Sequence, residues 1–539
     1  MSRTNPVFGG FNPDPSIIRV GEDFFCATSS FEYFPGVPIY HSKDLNQWSL
    51  IGHALTRKSQ IRITGPEPGG GVWAPTLRYH AGVFYLTTSS FDRFRPQLNE
   101  RLFPRGFYVK TTNIWNSSSW SDPVYFDVIG FDQDLFWDDD GSVYLSTTHV
   151  KVDRSDDLKT TRLDYAIHVC KVDLESGDSL SEPTMIRESP SGIAEGSHIF
   201  RRGQYYYLIT AEGGTGPKHS VWAFRSEQGP LGVWEPCPHN PLVSSGTKSE
   251  VQNTGHADFV EDAYGQWWAV LLGVRPPQTR PDEYEASVFG RETFILPVQW
   301  IDDWPIINGG EEIRLVPETE TSSQAAWRDD FSEPALRLGW YRKNTPEKVD
   351  FSIGRDPSRL SLRGGPYNLS TSGSPTMFLW KQTTRSCIWE TRVTFQPTTE
   401  HEEAGTVVWW NYTNYSSIGI RKALKHDDNG LTRPVRVIRF RPAIGEPVTR
   451  ELSGFDSDVS LYIRCGNKYE LGFREFTELD DEHVEIRWLG EVSNTVMTRE
   501  PPVGLAFTGM MLGLYAFSEY QRSLNVADFH YAQCKPRQD

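Results

Sequence analysis

Gly82-Val-Phe-Tyr-Leu-Thr-Thr-Ser89 is a turn glycine, a short run of aromatic and aliphatic residues, and a small polar tail. That is the pattern of the turn and returning strand of a β-hairpin. It recurs as Gly21-Glu-Asp-Phe-Phe-Cys-Ala-Thr-Ser29, Gly141-Ser-Val-Tyr-Leu-Ser-Thr-Thr148, Gly203-Gln-Tyr-Tyr-Tyr-Leu-Ile-Thr210 and Gly265-Gln-Trp-Trp-Ala-Val-Leu-Leu272. The steps between the five glycines are 61, 59, 62 and 62 residues. Each glycine follows a short apolar strand, so every unit begins strand, turn, strand. A unit of that length holds one four-stranded blade and a long connection, and five of them make a β-propeller. The competing arrangement, a β-sandwich with fortuitous spacing, does not account for so constant a step.

The repeat stops after about Gly309. The charged, small-residue stretch Glu311–Gln324 reads as a linker. Beyond it, Cys387-Ile-Trp-Glu-Thr-Arg-Val-Thr-Phe395, Gly405-Thr-Val-Val-Trp-Trp410 and Val435-Arg-Val-Ile-Arg-Phe440 alternate as half-buried strands do. The expected class is therefore all-β: a five-bladed propeller over residues 1–310, a linker over 311–326 and a β-sandwich over 327–539.

Composition removes several functions. The formal charge is −16, which repels phosphate backbones and argues against a nucleic-acid partner. The densest apolar run, Trp267–Val274, is too short to span a bilayer, so no membrane partner is expected. Met1-Ser2-Arg3-Thr4-Asn5-Pro6 lacks the apolar core of a signal peptide, so a cytoplasmic location is expected unless a leader has been removed. The six cysteines form no CxxC pair and read as free thiols. There is no G-x-S-x-G elbow, H-E-x-x-H or Walker loop, and Ala211-Glu-Gly-Gly-Thr-Gly216 reads as a close-packed turn. Homo-oligomerisation is compatible with the sequence and not indicated by it.

The strand ahead of each repeat hairpin opens on chemically loaded residues. These are Asn12-Pro-Asp14-Pro-Ser16, Val72-Trp73-Ala-Pro75, Phe131-Asp132-Gln-Asp134, Ala194-Glu195-Gly-Ser-His198 and Gly255-His256-Ala-Asp258. The first strand of each propeller blade lines the axis, so one phase of the repeat delivers carboxylates, a tryptophan and a histidine to one pocket. Carboxylates with an aromatic wall suit glycosidic cleavage, which needs an acid for the leaving oxygen and a second carboxylate opposite it. Sugar rings pack their apolar faces on Trp or Tyr. Alone, Asp14 would be a turn residue, Glu195 a surface residue, His256 a satisfied core histidine and Trp73 core; the shared phase favours the site. For His256, substrate contact and metal contact stay open.

At these residues the chain resembles glycoside hydrolase family 43, in its two-domain β-xylosidase form. Further markers are Val72-Trp-Ala-Pro-Thr-Leu-Arg78, Glu195-Gly-Ser-His-Ile199, Thr254-Gly-His-Ala-Asp258 and Gly290-Arg-Glu-Thr-Phe294. The resemblance implies a concanavalin-like C-terminal sandwich and exo-acting, inverting hydrolysis. It makes Asp14 the general base, Glu195 the general acid and Asp132 the third carboxylate. It also implies substrate contacts from Arg291, Trp73, Phe34 and Phe507, the last in Ala506-Phe-Thr-Gly509. His256 matches an axial histidine that in some relatives ligates calcium through water. No cofactor is required on this reading, and Ca2+ on the axis is the one metal it suggests. Asp134 competes with Asp132, because alternation puts both on one face and only the motif's start favours Asp132. The expected substrates are xylo-oligosaccharides. An α-L-arabinofuranosidase is the alternative, as is, from another class, a non-catalytic carbohydrate-binding protein.

Overall fold

The structure, a computed structural model, describes residues 4–91, 104–151, 164–280, 283–315, 326–426, 432–454, 457–476 and 485–537. The chain divides into two compact units, Met1–Pro317 and Glu318–Asp539. Most of the expected linker, residues 316–325, lies outside the described residues.

Unit 1 holds five antiparallel blade sheets in chain order, four of four strands and one, that of blade 4, of five. Their inner strands are Ser16–Val20, Gly71–His80, Phe131–Trp137, Ala194–Arg202 and Gln252–Glu261, for blades 1 to 5. The five repeat glycines all have positive φ, between 60° and 85°, in the turn from inner to second strand. A Cβ there would strain the turn, which is why the repeat keeps a residue without one.

The second strand of each blade explains the uninterrupted apolar runs. Successive side chains point to opposite faces, and in a propeller both faces abut a neighbouring blade. Phe24 joins the core between blades 5 and 1 while Phe25 joins that between blades 1 and 2. Leu145 and Tyr144 likewise divide between the seams of blade 3 with blades 2 and 4. Leu208 and Ile209 divide between the seams of blade 4 with blades 3 and 5. Five apolar clusters fill five seams. The ring is closed by the N-terminal segment, which lies along blade 5: the Val7 N–H donates to Thr293 O at 2.9 Å, and Asn5 exchanges two 2.9 Å bonds with Ile295.

Unit 2 is a β-sandwich of one eight-stranded and one six-stranded sheet among its described residues. Cys387–Thr394 alternates buried and half-buried as expected. Glu402–Asn411 does not: all ten residues are buried, so Gly405–Trp410 is a strand covered on both faces rather than one. Trp389, Trp409 and Tyr515 are among the largest fully buried side chains of its core. None of the six cysteines is disulfide-bonded. No helix among the described residues is long and apolar enough to cross a membrane.

Candidate active site

The residues that face the axis share one backbone device. Asp14, Ala74, Asp132, Gly196 and His256, one from each blade, have φ of 55°, 25°, 55°, 58° and 52°. In blades 2 to 5 the pairing register slips around that residue, which marks a β-bulge. The bulge re-aims the side chains at the start of each inner strand. It also corrects the expected phase: Glu195 is not equivalent to Asp14, Asp132 and His256 but stands one residue earlier, in line with Trp73 and Phe131. Plain alternation does not relate Asp132 to Asp134 either, since the slip falls between Phe131 and Asp134.

Asp14 is buried and saturated on the side of its charge. Ser29 Oγ donates to its Oδ2 at 2.5 Å and Arg291 Nη1 to its Oδ1 at 3.1 Å. Ser29 itself accepts the Ala74 N–H at 2.7 Å, which turns its proton toward the carboxylate. His256 Nδ1 lies 3.7 Å from Oδ1. Burial pushes the Asp14 carboxyl up, but Arg291, His256, the Ser29 bond and His219 together hold it below its ordinary value. Arg291 Nη1 also donates to Thr215 Oγ1 at 3.1 Å, tying the base to the Glu212–Gly216 turn.

Glu195 sits deep among surrounding atoms yet keeps partial exposure. Burial, then the charge of Asp14, raise its carboxyl to about 7, against a smaller opposing effect of Arg291. Asp132 accepts the Gly196 N–H at 2.9 Å, which places it beside Glu195. Burial and the charges of Glu195 and Asp14 lift Asp132 well above the usual carboxylate range, with the Gly196 N–H and Arg291 opposing. Two adjacent buried carboxyls do not ionise together, so this pair keeps a proton at neutral pH. Asp134 faces elsewhere: its Oδ1 lies 2.8 Å from Arg78 Nε and its Oδ2 accepts the Ile199 N–H at 2.9 Å. The carboxyl coupled to Glu195 is therefore that of Asp132.

Trp73 is half-buried, its Nε1 donating to Gly69 O at 2.7 Å and its ring 4.8 Å from Phe91 and 5.8 Å from Phe131. Phe34 is half-buried against the apolar cluster of blades 1 and 2. Phe507, in unit 2, is half-buried in the segment before the strand Met511–Ser518. His256 is buried and its imidazole is lowered to about 3, chiefly by burial. Its neighbours include His198, His219 and Arg291 as well as Asp14. Calcium takes six to eight oxygen ligands, and this set of imidazoles and a guanidinium is not such a cage. Among the described residues no three His, Cys, Asp or Glu are grouped to hold a metal. Around His256 the described residues therefore supply no cage of direct oxygen ligands for the axial Ca2+, which the resemblance places there only through water.

Sequence reasoning missed Ser29 and Thr215 as site residues, and placed His219 only in a segment near loops that could shape the mouth. His219 Nδ1 lies 3.0 Å from Asn253 O, and its ring packs on Gly255, where a Cβ would come within 2.3 Å. Gly255 opens a quoted motif, but nothing in that motif signals a ring packed on it; only the tertiary approach reveals the contact.

A buried carboxylate poised to stay charged beside a carboxyl poised to stay protonated defines an acid–base hydrolase site. Residues 3–305 match the model of glycosyl hydrolases family 43, and residues 328–535 match the β-xylosidase C-terminal concanavalin A-like domain. The chain belongs to glycosyl hydrolases family 43, and it is a glycoside hydrolase. It is 33% identical over 98% of its length to a non-reducing end α-L-arabinofuranosidase of Bacteroides ovatus, covering 93% of that protein. It is also 33% identical to a β-xylosidase of Bacillus subtilis, covering 78% of this chain and 79% of that one. The crystal structure of a xylan β-1,4-xylosidase from Bacillus halodurans superposes with a TM-score of 0.85 at 28% identity, over 99% of this chain and 100% of that one.

Proposed function

We propose that this hydrolase is an inverting, exo-acting β-D-xylosidase that releases D-xylose from the non-reducing ends of short β-1,4-xylo-oligosaccharides. The observation that carries the reading is the opposite displacement of two axial carboxyls, Asp14 downward and Glu195 up to about 7. Asp14 remains a carboxylate over the working range and takes a proton from the attacking water. Glu195 retains its proton and delivers it to the glycosidic oxygen as the bond from C1 breaks. The water oxygen ends on the face opposite the departing sugar, so a β-xyloside gives α-xylose. Asp132 orients Gly196 and, through it, the acid. Arg291 and Thr215 offer donors to sugar hydroxyls beside the base, and Trp73 supplies a ring face.

The names of the relatives support both pentoses. The Bacteroides ovatus protein, which spans nearly the whole chain, favours a second reading, α-L-arabinofuranosidase. Initial rates on 4-nitrophenyl β-D-xyloside and 4-nitrophenyl α-L-arabinofuranoside separate the readings. A higher kcat/KM on the xyloside is expected. The reverse order would establish the arabinofuranosidase, and hydrolysis of neither would point to a carbohydrate-binding protein.

A further inference from the structure

Two residues beyond each bulge stand Ser16, Thr76, Asp134, His198 and Asp258, a second ring of polar side chains from the five inner strands. Four of them converge on one guanidinium, that of Arg78 in blade 2. Its Nε lies 2.8 Å from Asp134 Oδ1 in blade 3, and its Nη1 2.9 Å from Asp258 Oδ2 in blade 5. Its Nη2 lies 3.0 Å from His198 Nδ1 in blade 4, and Nη1 reaches Ser16 Oγ in blade 1 at 3.4 Å. Nη1 also donates to Leu77 O at 2.9 Å. Because guanidinium only donates, His198 Nδ1 is the accepting lone pair. The two carboxylates are themselves held: Asp258 accepts the Ser16 hydroxyl at 2.7 Å and the Ile17 N–H at 3.1 Å, and Asp134 accepts the Ile199 N–H.

A pair of buried carboxylates needs a cation. Here one is built into the chain, with donors spread over a fork that touches every blade. We propose that Arg78 is the resident axial cation of this propeller, tying the five blades together one ring of side chains beyond His256, the residue at which the family resemblance suggested calcium. It acts as a positioning residue. His198, on which it donates, lies with its ring 6.0 Å from that of His256, and His256 flanks Asp14. The guanidinium stands between Asp134 and Asp258, within hydrogen-bond distance of a carboxylate oxygen of each. This inference rests on the axial geometry, and its melting and binding readouts do not depend on which pentose is cleaved.

The test compares the full-length wild type with Arg78→Ala and Arg78→Lys. Wild type dialysed against EDTA and then returned to calcium should keep its Tm within about 1 °C and its kcat/KM within about twofold. Arg78→Ala leaves two buried carboxylates unpaired and should lose about tenfold or more in kcat with a Tm lower by several degrees. Millimolar guanidinium or calcium should restore part of both losses, and calorimetry should find calcium binding in Arg78→Ala and none in wild type. If Arg78→Ala does not fold, Arg78→Lys, which keeps the charge without the fork, should still fold with reduced kcat. A wild type that loses Tm or rate in EDTA and regains it with calcium would overturn the proposal. So would an Arg78→Ala or Arg78→Lys enzyme equal to wild type, or an Arg78→Ala loss that neither cation rescues.

Discussion

At the scale of single residues, the site keeps two carboxyls in opposite states by spending different neighbours on them. Asp14 is surrounded by donors and a guanidinium, while Glu195 has burial and the charge of Asp14. The kcat/KM profile should therefore have a basic limb near pH 7, from loss of the Glu195 proton. Asp132→Asn should lower kcat by orders of magnitude and move that limb to lower pH, because the last proton of the pair is then no longer held by a second carboxylate. A limb that stays in place with near-native rate would remove Asp132 from the acid's environment. The same displacement has a cost in stability. A carboxyl raised in the folded state is at no disadvantage below the unfolded value of 4.5, and loses stability as pH rises from there through about 7. Glu195→Gln should abolish turnover yet raise the Tm at pH 8 by several degrees, from a penalty of up to about 3 kcal/mol, and leave it unchanged at pH 4. Thermal melts of both proteins at the two pH values check the sign. Asp14, Glu195 and Asp132 were legible in the sequence because the repeat delivers them. Ser29 and His219 were not: Ser29 reads as the small polar tail of a repeat hairpin, and His219 reaches the site only through the tertiary approach of its loop to Gly255.

At the scale of the element, the inner strand is a strand with a bulge, and the bulge does the aiming. Positive φ at Gly196 is unremarkable, but at Asp14, Asp132 and His256 it cannot be read from composition. That is why the common phase read from the repeat groups Glu195 with Asp14, Asp132 and His256, although it stands one residue earlier relative to the bulge. The turn glycines were legible because a hairpin is local; the bulge is imposed by the neighbouring strand. Gly196 offers the cleanest probe. A Cβ on it would sit 3.1 Å from Ala211 Cβ and 3.2 Å from the His256 ring, and its N–H holds Asp132. Gly196→Ala should cost about 1–2 kcal/mol in stability and lower kcat about tenfold or more by displacing Glu195 and Asp132 together. Denaturant melts and steady-state kinetics would show it, and a native kcat would mean that the bulge tolerates a side chain without moving the acid. The strand Glu402–Asn411 shows the converse limit: its sequence looks half-buried, yet both faces are covered.

At the scale of the whole molecule, a ring of five wedges is held by five apolar seams and one closure. The closure is the N-terminal segment on blade 5, where Asn5 makes two hydrogen bonds to Ile295. Asn5→Ala should lower stability by about 1–3 kcal/mol while leaving kcat/KM close to wild type, as chemical melts and kinetics on an aryl xyloside would report. Sequence periodicity announced the blades, because each repeats the same local hairpin, but not the closure, which joins residues almost the length of the ring apart. The fold brings Asp14 from its first blade and Glu195 from its fourth to one pocket, where a charged base and a protonated acid can act on one bond. With Asp14 activating water rather than attacking C1 itself, the reaction inverts. Proton NMR of the first sugar released from 4-nitrophenyl β-D-xyloside, recorded before mutarotation, tests it most directly: α-xylose is predicted, and β-xylose as the initial product would contradict Asp14 as base and Glu195 as acid.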